Sequence, residues 1–136
     1  MTMKILVAYL STALVFAVMD FIWLASTAER LYRPVLGSIL ADKVRLGPAV
    51  AFYLIYMAGV VIFAVWPALK SGNILTALIY GALLGVVAYA TYDLTNMATL
   101  KVWSLKITLL DLAWGAFATA TAAAAGALIT RAVLKI

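Results

Sequence analysis

Asp20, Asp93 and Asp111 each interrupt a long apolar run, in "MDFIWLA", "YATYDLTNMATL" and "LDLAWGA". The chain holds only five acids, so more than half of them lie where a charge is most expensive. A carboxylate facing lipid near mid-membrane costs a few kcal/mol, so such residues turn inward and mark a ligand site, a proton path or a buried pairing. Their neighbours are patterned. Asp20–Trp23 and Asp111–Trp114 share D-x-x-W, and three-residue spacing puts acid and indole on one helical face. Tyr89, Asp93 and Asn96 are spaced by four and three, again one face. Carboxylates beside aromatic rings suit an organic cation, through charge pairing and cation–π contact. Paired carboxylates can equally serve as general acid and base, or offer oxygens to a divalent metal.

The rest of the composition narrows the chemistry. Of 136 residues, 68% are hydrophobic and 11% charged, and the mean hydropathy is +1.14. A soluble domain of this length needs more polar surface. There is no cysteine and no histidine, which removes disulfides, thiol chemistry, zinc or haem held by these side chains, and a histidine triad or pH switch. No nucleotide loop or nucleic-acid motif is present. The net charge of +5 lies at ends and loops, where it marks topology and contact with anionic lipid rather than nucleic acid.

Four segments of about twenty apolar residues are each long enough to cross about 30 Å of hydrocarbon. They are too uniformly apolar for barrel strands, so the expectation is one all-α integral membrane domain over residues 1–136, a four-helix transmembrane bundle. Segment one runs from about Lys4 to Ser26. It starts like a signal peptide but continues through Asp20 and Trp23 without a small-residue cleavage site, so it is read as an uncleaved helix. Residues 27–47 are polar, with Val35, Leu36, Ile39, Leu40 and Val44 at helical spacing. This stretch reads as a short interfacial helix started after Pro34 or as a solvated loop. Segment two spans about Pro48 to Leu69, segment three about Ile74 to Met97, and segment four about Leu105 to Ile129. Short connections make the later segments antiparallel neighbours.

This topology places the three acids on one side of the membrane, each about 6–9 Å below its helix end at 1.5 Å per residue. Tyr53 and Tyr56 of segment two reach the same layer, and Tyr92 borders it. Gly81, Gly85, Gly115, Ala118 and Ala122 let backbones approach closely. The expected site is therefore a cup of Asp20, Asp93 and Asp111 walled by Tyr53, Tyr56, Tyr89, Tyr92, Asn96, Trp23 and Trp114, open toward the first and third loops. Carboxylates this close would not all ionise. The competing readings are ion pairs with Arg30, Arg33, Lys101 or Lys106 snorkelling inward, belt tryptophans at the interface, and Asp93 with Asn96 simply ending segment three.

The blocks "MDFIWLA", "FYLIYMAGVVIFAVWPAL", "YGALLGVVAYATYDLTNMATLKVW" and "LDLAWG" resemble a bacterial family of predicted membrane proteins, the domain of unknown function 2177. The resemblance covers nearly the whole chain, with "ATYDLTN" its most specific part. It implies four membrane helices and a bacterial inner-membrane location, and supplies no reaction.

Three functions fit. The first is binding or transport of a polar or cationic small ligand or lipid headgroup, coupled to protons through an acid that exchanges one for the other, with a homodimer forming the pathway. The second is a membrane enzyme acting on a lipid or isoprenoid by carboxylate acid–base chemistry. The third is an accessory subunit whose polar layer fixes helix register. No cofactor and no resident metal are expected, and membrane lipids are the expected partners. Basic residues number six in the first and third loops against four on the other side, which points those loops to the cytoplasm and both termini outward.

Overall fold

Two of the three prolines sit in the interior of membrane helices and shape them, while Pro48 falls in the first turn of its helix. A proline lacks the N–H for the ladder, and its ring clashes with the carbonyl four residues back. Widening the preceding turn relieves that clash. In the computed structural model, which describes residues 1–136, π-helical turns cover Ala28–Tyr32, ahead of Pro34, and Val61–Val65, ahead of Pro67. In each turn an N–H reaches back five residues, Arg33 to the Ala28 carbonyl and Trp66 to the Val61 carbonyl. The chain therefore passes both prolines without breaking.

Four helices result, each long and apolar enough to span a membrane: α1 Thr2–Leu36, α2 Leu46–Ser71, α3 Ile74–Thr99 and α4 Leu105–Leu134. Their ends follow local chemistry. Gly72 closes α2 in the left-handed conformation at φ 71°, where glycine carries no Cβ penalty. The side chains of Asn73 and Ser104 accept from the N–H groups of Leu75 and Ile107 and cap α3 and α4, as short polar side chains do at helix starts.

The first helix departs from expectation. It does not end near Ser26 and restart as an interfacial helix after Pro34. It runs on through the π turn to Leu36, and only residues beyond it form a connecting loop. The polar composition of 27–36 hid a helix whose inner face carries Tyr32 and Leu36.

Helix α4 is the centre of the bundle. It packs along α3 on one side and α1 on the other, while α2 lies against α3 mainly through its π turn and also touches α1 and α4. Small residues make the close approach possible. A Cβ on Gly81 would come within 2.9 Å of Ala120 Cα and Thr119 O. One on Gly85 would collide with the Gly115 carbonyl, and one on Gly126 with Thr12. Ala118, Ala122, Ala123 and Ala127 of α4 are fully buried, packed with Phe16, Val60, Ala64 and Val65. Leucines, isoleucines and phenylalanines cover the outer surface, where lipid would meet them. This tight seam holds Asp93 on α3 against Asp111 on α4.

Candidate functional site

The extended α1, the loop after it and the facing ends of the other helices enclose one cavity of about 650 Å³. Asp20, Asp93 and Asp111 all line it, with Trp23, Trp114, Tyr89 and Tyr92. All three carboxylates are shielded: Asp93 is 0% exposed, Asp111 7% and Asp20 8%. No basic side chain reaches them. The one ion pair in the protein is Arg33–Glu29, 2.8 Å apart at the rim, so the ion-pairing reading of the acids is not what the structure adopts.

The acids are not one ring. Asp93 and Asp111 lie side by side as a pair. Two carboxylates offer each other only acceptors, and no donor reaches either oxygen of Asp93. Only a proton held between the two groups would link them. Asp20 stands apart and accepts from the Tyr53 hydroxyl. No group of three acids is close enough to hold a single metal ion. The helix-end count behind the single layer does not hold: α1 ends at Leu36, sixteen residues past Asp20 and not six, yet Asp20 lines the same cavity as the pair.

A chain of hydrogen bonds runs down the α1 side. Trp23 Nε1 donates to the Tyr32 hydroxyl at 3.0 Å, and Tyr32 in turn donates to Asp111. Trp23 also lies flat on Trp114, ring centres 4.6 Å apart and planes within 7°. The two D-x-x-W motifs therefore meet face to face, which a belt role would not require. Tyr89 packs on Gly115, where any Cβ would strike its ring. Tyr92 meets Trp103 edge-on at 6.0 Å, and Trp103 donates to Thr108 at 2.9 Å.

The other expected wall residues fall elsewhere. Tyr53 reaches the cup only through its hydroxyl on Asp20. Tyr56 lies below it, bonded to Thr119 at 2.7 Å. Asn96 is on the same helix as Asp93 but does not line the cavity. It is half-exposed a turn nearer the helix end.

Sequence reasoning missed Tyr32, Phe52 and Trp103, which also line the cavity, while Arg33 lines it without pairing with its acids. For Tyr32 a signal existed. "RLYRPVL" has a proline at a position where a helix can pass by widening its preceding turn, and Leu31, Tyr32, Val35 and Leu36 continue the apolar pattern of α1.

A family model described as "Predicted membrane protein (DUF2177)" matches residues 5–128. No curated protein and no solved structure matches the chain.

Proposed function

The chain belongs to the DUF2177 family of predicted membrane proteins, and from that premise we propose that it is a membrane-embedded binding module for a cationic amphiphile, serving proton-coupled movement of that ligand in a bacterial inner membrane. The observation that carries this reading is three shielded carboxylates, none paired with a base, lining one aromatic-walled cavity. Burying a charge is unfavourable unless something opposes it. A cation entering the cup supplies that opposition, and the stacked indoles add cation–π attraction. The Asp93–Asp111 pair would hold a proton when empty and release it when the cation arrives, which is the exchange a coupled carrier needs.

Below the cup the bundle is filled by Phe16, Met57, Val60 and the alanines of α4. A path through the remaining thickness would therefore run along a contact between two copies. The six-to-four distribution of basic residues supports placing the cup on the cytoplasmic side. The chain has no cysteine, so Ser38→Cys and Ser71→Cys report orientation directly. Cell-impermeant maleimide should label the second from outside, and labelling of the first instead reverses the assignment.

A second reading draws on one observation: a tyrosine donating to one member of a carboxyl pair also suits acid–base chemistry on a lipid. Turnover of a lipid by purified protein would favour it.

The binding reading is tested by titrating dodecylamine into protein in phosphatidylcholine nanodiscs and following tryptophan fluorescence. Asp93→Asn should weaken binding at least about ten-fold, since truncating one partner of a buried charge pair costs about 2–5 kcal/mol. Equal affinity in the variant overturns the reading.

A further inference from the structure

Once the proton shared by Asp93 and Asp111 has left, two polar groups in the cup have no protein partner, and they are of opposite kind. Both oxygens of Asp93 are buried without a donor, and Trp114 Nε1–H is buried without an acceptor. Both residues line the same cavity. The neighbouring groups are already engaged. Trp23 gives its N–H to Tyr32, Tyr32 gives its proton to Asp111, and Tyr53 gives its own to Asp20. What the cup leaves open is therefore one strong pair of acceptors and one neutral donor.

Native structures leave few buried polar groups unmatched, and each unmade bond costs about 1–3 kcal/mol, more where a charge is involved. A quaternary ammonium would answer the charge of Asp93 but has no N–H to give its oxygens. A primary or secondary ammonium has one or more. It offers nothing to Trp114, whose N–H needs an oxygen on the ligand. Trp114 is one helical turn from Asp111, the partner of Asp93, so both demands fall on one end of the ligand. The remaining lining is mostly apolar, 14 of 18 residues, and suits a hydrocarbon body.

Resting on the cation-binding reading above, we infer that the occupant is an amphiphile whose head joins an N–H-bearing ammonium to a neighbouring oxygen acceptor, an amino-alcohol unit on an apolar chain. The unit is present both in free long-chain amino alcohols and in the ethanolamine headgroup of a membrane lipid. The ammonium sits on Asp93, the oxygen accepts from Trp114, and the chain leaves between the aromatic walls. Arg33, half-exposed at the rim, stands where a headgroup phosphate would lie.

Three probes with the same dodecyl tail separate these demands in phosphatidylcholine nanodiscs. 2-(Dodecylamino)ethanol has both the N–H and the oxygen, N-ethyldodecylamine keeps the N–H alone, and dodecylethyldimethylammonium has neither. The amino alcohol should bind at least about ten-fold tighter than either of the others, each missing bond to a buried group being worth about a factor of ten. Trp114→Phe should erase its advantage over N-ethyldodecylamine and leave the preference over the quaternary probe intact. Equal binding of all three overturns the amino-alcohol assignment while the cation reading stands. Absence of binding by any of them overturns both. Retention of an advantage for the hydroxyl in Trp114→Phe overturns the role given to the indole. The source is settled in a second arm, with phosphatidylethanolamine in the nanodisc. Competition with the amino-alcohol probe assigns the head to a membrane lipid, and an unchanged affinity assigns it to a free amine.

Discussion

Trp23 and Trp114 lie face to face at 4.6 Å, although they are far apart in the sequence and belong to helices running in opposite directions. Each is three residues after an acid, so the stack fixes how two acid-bearing helices meet. It also separates two indole N–H groups by task. Trp23 is tied to Tyr32, and Trp114 stays free for whatever enters the cup.

Two parallel indoles this close couple their electronic transitions. Far-ultraviolet circular dichroism should show an exciton couplet that disappears in Trp23→Phe and in Trp114→Phe, and survives Trp66→Phe and Trp103→Phe. A couplet that persists in the first two variants would mean the D-x-x-W motifs do not meet.

Tyr32 holds two bonds at once, accepting from Trp23 and donating to Asp111. Tyr32→Phe removes both and leaves two shielded polar groups unmatched, a loss of about 1–3 kcal/mol. Thermal unfolding in detergent should shift downward accordingly. Pro34→Ala should act on the same tyrosine from a distance. With the N–H restored, the Ala28–Tyr32 turn can tighten to a regular α-helix and rotate the hydroxyl away from Asp111.

The α3–α4 seam is the support of the carboxyl pair. Gly85→Ala drives a methyl group into the Gly115 carbonyl and should cost about 1–3 kcal/mol through overpacking, with loss of ligand binding because Asp93 lies two turns further along α3. Gly59→Ala is the control, since a Cβ there meets nothing within 4 Å. Melting curves of the two variants should diverge, and a harmless Gly85→Ala would contradict the geometry of the seam.

Asp111→Asn should separate function from stability. The amide takes over from the shared proton as the donor to Asp93, so the empty protein should keep its stability to within about 1 kcal/mol while losing affinity for cations. Kept stability with lost binding is the expected signature of an acid retained for a ligand. A scaffold acid fixing helix register would instead lose stability when changed.

Much of this was readable from residue types alone. Helices α2, α3 and α4 begin and end within about five residues of expectation because the length of each apolar run is itself the signal. The glycine contacts at positions 81, 85 and 115 were visible as a small-residue face. The end of α1 was not, because it lies beyond a polar stretch whose composition reads equally as an interfacial helix or a loop. Tyr32 was hidden for the same reason. Asn96 shows the opposite error: spacing put it on the face of Asp93, but the helix carries that face past the cavity before position 96 is reached.

The central claim is that a cation occupies the cup against Asp93. The most direct measurement is a structure of the protein in lipid with a dodecylamine analogue carrying a terminal iodine, located by its anomalous scattering. The predicted result is an iodine peak among the aromatic walls and an ammonium nitrogen about 2.8 Å from a carboxylate oxygen of Asp93. Iodine found only on the lipid-facing surface, with the guanidinium of Arg33 folded onto Asp93, would contradict it.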